Sequence, residues 1–175
     1  MKYEKKQKSL IELDLKEENH MDLSNQIDNK WERDTILSFV NVSKKLNYSI
    51  RFRNMDKSKI RKKYINTNGS KSGQRHNKKV VNLIFGYMIF KILEVKKEVL
   101  DKIYICPDHR PSKEVHHYIQ KIASKFNNPH LTEEIDIDFI NRSIYAINKS
   151  TPAHRLAKKY LKEKEKQMLL LILKS

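Results

Sequence analysis

The chain has 175 residues, 37 of them Lys or Arg against 21 Asp or Glu, for a formal net charge of +16. Hydrophobic residues at 38% suffice for one core, so residues 1–175 are expected to form a single α/β domain with loose termini. One cysteine excludes an internal disulfide, and no P-loop, dinucleotide glycine pattern or nucleophile elbow is present, which argues against nucleotide-cofactor chemistry.

Taken in chain order, Ile11, Leu13 and Leu15 alternate with Glu12, Asp14 and Lys16, the period of a half-buried strand. They lie in an acidic opening, Leu10 to Asp34, of net charge −5. Asp28 or Asn29 is placed to cap a helix through Trp31, Ile36, Val40 and Leu46, although Thr35 to Val40 also reads as strand. Tyr48, Ile50 and Phe52 alternate with Ser49, Arg51 and Arg53, a cleaner strand with two guanidinium groups on its outer face.

Asn54 to Lys79 carries nine Lys or Arg against the single acid Asp56, half of the whole surplus charge. Asp56 to Tyr64 is expected to be a short basic helix, and 66–77 an exposed, mobile basic loop built on Asn68-Gly69-Ser70 and Ser72-Gly73. Lys78 to Lys102 reads as the longest helix, apolar nearly all round in its first half and therefore central. Gly86 inside it costs about 1 kcal/mol relative to Ala, which close packing of another element would explain. Its apolar stretch, Val80 to Leu93, is interrupted by Asn82 and Lys91 and is short of the about 20 residues a bilayer requires. The N-terminus has no apolar core of signal-peptide length. A soluble, cytoplasmic protein with no membrane contact is the expectation.

Ile103 to Cys106 is a short apolar run, the pattern of a buried strand, and ends at Pro107-Asp108-His109-Arg110-Pro111. Ser112 caps a helix through Val115, Ile119, Ile122, Ala123 and Phe126, stopped by Asn127-Asn128-Pro129. Ile135, Ile137 and Phe139 alternate with Asp136 and Asp138 and are read as strand, against the helix-start signal of Thr132 and Glu133. Thr151-Pro152 opens the last helix. Ala153, Leu156, Ala157, Tyr160 and Leu161 line one face, and Lys158, Lys159, Lys162, Lys164 and Lys166 fill much of the rest. The apolar Met168 to Leu173 either docks on the core or forms a homo-oligomer contact. Alternation of strand and helix predicts a central mixed sheet with helices packed on it.

The basic surplus points to a polyanion, first of all DNA or RNA. Arg51, Arg53, Lys57, Lys59, Arg61, Lys62, Lys63, Lys71, Arg75, Lys78, Lys79 and Arg110 are the candidate phosphate contacts, which would give affinity without sequence specificity. The bland alternative is a solvated surface. Asp108, His109 and Arg110 stand where a buried strand ends and a helix begins, a position that favours metal or anion binding as readily as a stiff turn. Seven histidines lack the tight spacing of a zinc site, and Cys106 reads as a small buried hydrophobe. Asp136 and Asp138 share a strand face, as a magnesium pair or as a solvent edge.

From Lys78 onward the order is long helix, strand ending in Asp108, helix, strand, then a helix opened by NKSTPAHRLAKKYL. That order loosely resembles the second half of ribonuclease H-like domains, a three-layer fold. The resemblance implies carboxylates holding two magnesium ions and hydrolysis or joining of nucleic-acid strands. It implies Asp108 as the acid after a middle strand and Asp14 as the first-strand aspartate; a nuclease would add Asp136 as a further metal ligand. His154 stands where many members carry an acid, and the N-terminal part lacks an evident run of three sequential strands. Three functions are thereby set against one another. They are a nucleic-acid-binding protein, a magnesium-dependent nuclease using Asp14, Asp108 and His154, and an interaction module for an acidic protein.

Overall fold

A computed structural model of the chain describes residues 19–24, 27, 31–68, 73–96, 102–106, 112–133, 135–139 and 151–172. In chain order these are β1 (Asn19–Ser24), β2 (Thr35–Asn41), β3 (Leu46–Phe52), α1 (Asn54–Asn68), α2 (Gly73–Lys96), β4 (Lys102–Ile105), α3 (Ser112–Lys125), a 3-10 turn (Pro129–Thr132), β5 (Asp136–Phe139) and α4 (Pro152–Ile172). The expected α/β class is therefore the observed one: a single mixed five-stranded sheet carrying four helices.

The sheet runs β3-β2-β1-β4-β5. β1, β2 and β3 form an antiparallel meander, whereas β4 pairs parallel to β1 and β5 parallel to β4. Period-2 alternation divides the faces. Met21, Leu23, Leu37, Phe39, Ile103 and Ile105 form one buried cluster with Ile84, Phe85, Met88 and Ile89 of α2 and with Val115 and Ile119 of α3. In the same strands Asp22 pairs in register with Ser38, and Ser38 with Ser49, so a polar row crosses the opposite face. The two serine hydroxyls bond at 2.6 Å. α4 packs on that polar face, against β1 and β2.

Several local choices explain these elements. The hydrophobic set of 35–41 fits both periods, and strand wins because Leu37 and Phe39 reach the α2 core only from a pleated backbone. The helix expected from Asp28 or Asn29 through Leu46 is thereby corrected. At the β2–β3 turn Asn41 accepts from Lys44 N–H at 2.7 Å, and its amide donates to Asn19 Oδ1 at 2.7 Å. Asn19 in turn donates to the Lys102 carbonyl at 2.8 Å, so one amide ladder ties β2, β1 and β4. Asp34, at the entry to β2, accepts the Asn54 N–H that opens α1 at 2.9 Å.

The basic helix is longer than expected, reaching Asn68. α2 already begins at Gly73, so the expected loop over 66–77 is corrected to helix at 66–68 and 73–77, and 69–72 lie outside the described residues. α2 ends at Lys96, before the expected Lys102, and Lys102 belongs to β4. Gly86 meets the packing its cost required: a Cβ there would lie 3.0 Å from Tyr118 Cβ and 3.3 Å from the Ile119 nitrogen. The strand expected over Ile11 to Leu15 lies outside the described residues. β1 is formed further on, by His20-Met21-Asp22-Leu23. Among the described residues no helix is long and apolar enough to cross a membrane.

Candidate functional site

The point where chemistry-bearing groups converge is the middle of the polar sheet face. β1 is the central strand, and its Asp22 is fully buried beneath the start of α4. Thr151 Oγ1 donates to Asp22 Oδ2 at 2.8 Å across 129 residues of chain. The same hydroxyl oxygen accepts the His154 N–H at 3.1 Å, which makes Thr151 the N-cap of α4, with Pro152 at the first helical position. One threonine therefore fixes both where the helix begins and which strand it sits on. Asp22 Oδ1 accepts the Leu23 N–H at 2.7 Å.

His154, the fourth residue of this arrangement, leans onto the same strand. Its Nδ1 lies 3.2 Å from the Leu23 carbonyl oxygen and 3.6 Å from Asp22 Oδ1. Both neighbours are acceptors, so the geometry sets the proton of the neutral ring on Nδ1 and leaves Nε2 unprotonated in that form. The Asp22 carboxyl is the main influence raising the His154 pKa above its ordinary 6.5, against burial and the nearby Lys158, which lower it; the Leu23 carbonyl adds to the rise. The imidazole side chain is 19% exposed, the Asp22 side chain 0%. The pair is a buried acid holding a partly exposed ring.

The predicted site residues separate into groups. His154 is in the convergence. Asp136 is not: it stands exposed on the outer strand β5, 3.5 Å from Lys102 Nζ, with Asp138 at 4.0 Å from the same ammonium. Both acids are exposed, and the Lys102 ammonium lies within 4.0 Å of each. Asp14, Asp108 and Arg110 lie outside the described residues. Asp22 was missed by the sequence reading, although its signal was present. Met21 and Leu23 are core, His20 and Asp22 are not, and this alternation spans too few residues to stand out beside IELDL.

The candidate phosphate contacts divide as well. Lys59, Lys62, Lys63, Lys78 and Lys79 are exposed on α1 and the first turns of α2. Lys57 is corrected: it is fully buried, and its ammonium donates to Thr35 Oγ1 of β2 at 3.0 Å. A lysine so placed holds α1 to the sheet and does not reach a ligand. Arg61 lies 4.8 Å over the Trp31 ring, Arg51 is paired with Asp34, and Arg53 bonds Asp56 at 2.9 Å. Lys71 and the side chain of Arg75 lie outside the described residues.

Further hollows lie among the described residues. A mainly apolar groove of about 560 Å³ between α1, α2 and α3 is lined by Phe52, Ile60, Leu83, Tyr87, Ile122 and Phe126, and also by Asp56, Lys121 and Lys125. A cleft of about 400 Å³ on α4 is lined by Arg155, Lys158, Lys159, Lys162 and Glu163. Cys106 is fully buried beside β1, its N–H on the Met21 carbonyl at 3.0 Å. No family model matches the chain, and no curated protein or solved structure matches it.

Magnesium, which the ribonuclease H resemblance implies, was tested against the donors at Asp22. Both carboxyl oxygens already face protons, from Leu23, Thr151 and His154. Among the described residues no group of three or more His, Cys, Asp or Glu side chains converges to hold a metal. The described donors do not fit a magnesium site, and no chemical step is routed through one.

Proposed function

We propose that this protein binds nucleic acid through the phosphate backbone, using basic helical surfaces on a ribonuclease H-like scaffold. The observation that carries the reading is the placement of the surplus charge. Lys59, Lys62, Lys63, Lys78 and Lys79 stand in solvent, beside a chain with a net charge of +16. The scaffold supports nucleic acid over an acidic protein as the polyanion. Three sequential strands and α1 precede the long α2, and strand, helix, strand and helix follow it, the order from Lys78 onward on which the resemblance rests.

The test is a binding titration of labelled duplex DNA, single-stranded DNA and RNA over a series of salt concentrations. Binding should weaken with log salt at a slope of about −0.9 for each phosphate neutralised on duplex DNA. Affinity indifferent to salt would remove the reading, and tight capture of an acidic protein in preference to nucleic acid would replace it with the interaction module.

A second reading, magnesium-dependent strand cleavage, is favoured by one observation. An aspartate of the central strand, Asp22, lies 3.6 Å from His154 of the last helix, a residue that this reading also uses. Since the described donors do not make an ion site, this reading depends on Asp108. Magnesium-dependent cutting by the wild type, lost in both Asp108→Ala and Asp22→Asn, would establish it. Retention without cutting leaves the protein a binder.

A further inference from the structure

The exposed cations of α4 belong to no site described so far, and their positions form a pattern. At about 100° per residue, taking His154 as zero, Lys158 falls at about 40°, Lys162 at about 80°, Arg155 at about 100° and Lys159 at about 140°. Five basic or titratable groups thus occupy less than half of the helix circumference, next to the face by which Ala153 and Ala157 are buried on the sheet. Arg155, Lys158, Lys159 and Lys162, with Glu163, line an open hollow of about 400 Å³ on the helix surface.

Little in the described structure competes for them. Lys159 Nζ lies 3.8 Å from Glu163, itself half-exposed. Among the described residues Arg155, Lys158 and Lys162 have no ion-pair partner, although each borders the cleft. The cluster gathers positive charge in one place without a described structural need for it. The stripe also has a fixed end. His154 is held by Leu23 and Asp22, so its Nε2 marks one point relative to the sheet, from which the flexible lysines extend.

We propose that α4 carries a nucleic-acid strand, its phosphates lying along Lys162, Lys159, Lys158 and Arg155 and ending at His154 Nε2. This rests on the nucleic-acid reading and assigns it a place which the basic run at 54–79 does not include. From His154 to Lys162 is eight residues, about 12 Å of helix, which matches the rise of about three to four phosphates of one strand. Ammonium and guanidinium groups on a convex helix contact the backbone of either DNA or RNA, so the stripe supplies affinity and register, not base specificity. His154 acts as a positioning residue at the end of the track.

The experiment compares, on the full chain, two charge-neutralised variants against duplex DNA and single-stranded RNA over a salt series. One is K158Q/K159Q/K162Q on α4, the other K59Q/K62Q/K63Q on α1. The α4 variant is expected to lose about tenfold or more in affinity and to flatten the salt slope by about 2 to 3, one phosphate per lysine. Glu163→Gln removes the one acid of the cleft and is expected to tighten binding about two- to threefold, a gain that misfolding cannot produce. His154→Gln should weaken binding while leaving the salt slope within one unit of wild type. If only the α1 variant weakens binding, the α4 track is wrong and the nucleic-acid reading stands. If wild type shows no salt-dependent binding to either nucleic acid, the reading beneath it fails as well. If the α4 variant and Glu163→Gln both match wild type, the track is overturned.

Discussion

Helices α1 and α4 are both crowded with lysine, yet they use it differently. On α1 the cations surround the helix: with Lys57 at zero, Arg61 falls at about 40°, Lys62 at about 140°, Lys59 at about 200° and Lys63 at about 240°. One of these directions points into the sheet, where Lys57 is buried on Thr35, and another lays Arg61 on Trp31. On α4 the cations Arg155, Lys158, Lys159 and Lys162 share one side, and the opposite side of these first turns is the small, apolar surface of Ala153 and Ala157 that lets the helix approach β1 and β2. The charge per residue is similar. What differs is whether the pattern keeps the period of the helix, and only a charge that keeps it becomes a surface.

The helices also differ in how they are anchored, and this gives the largest expected effect. α4 is tied to the central strand through Asp22, which accepts from Thr151 and from the Leu23 N–H. Asp22→Ala leaves two buried donors without that acceptor and should cost roughly 1–3 kcal/mol for each group so stranded. Thermal melting should fall by about 2–4 °C per kcal/mol in a chain of this size. The same variant should lose α4-dependent nucleic-acid binding. A melting temperature equal to wild type would mean that α4 is held by its alanine face alone.

A smaller effect follows from His154. Its folded pKa is raised above 6.5, principally by Asp22, so the charged ring contributes stability that is fully present below pH 6.5 and is lost as pH rises through the folded value. Asp22, the Leu23 carbonyl, Thr151 and Lys158 are the groups that face it, and Lys158 is the one that opposes the charge. Melting temperature should therefore drift down as pH is raised from about 6 towards 8. His154→Gln should flatten that drift. A wild type that becomes more stable over the same range would reverse the sign and place the proton elsewhere.

How much of this was legible in the sequence depends on how many residues carried each signal. The long α2, the short β4, the cap at Thr151 and the strand of β5 were readable because each has an extended apolar period or a distinct punctuating residue. β2 was ambiguous because 35–41 is apolar enough for either period, and only its pairing with β1 and β3 decides it. Asp22 was obscured for a related reason. Its strand shows alternation over four residues, and what makes the position special is Thr151, 129 residues later. The count of lysines in the basic run was legible, but burial of Lys57 was not, since a cation on a helix declares its direction only once the helix has a partner. The α4 stripe was within reach of helical arithmetic, for its spacing is in the sequence.

The smallest expected effect is the one that separates charge from surface most cleanly. Lys57 contributes to the net charge as fully as Lys59 does, so an account based on total charge predicts that removing either weakens nucleic-acid binding equally. The buried position predicts otherwise. Lys57→Met keeps an unbranched side chain of similar length in the space between α1 and β2 and removes an ammonium from the interior. Methionine cannot replace the bond to the buried Thr35 hydroxyl, which should cost roughly 1 kcal/mol. The melting temperature should fall slightly, while affinity should remain within about twofold of wild type because no phosphate contact is lost. Lys59→Met, at an exposed position, removes one contact and should flatten the salt slope by about 0.9 if that lysine meets a phosphate. Equal losses in the two variants would mean that the protein binds through its overall field, with no defined track on either helix. Unequal losses, with Lys57 silent, would make position on the helix the property that matters.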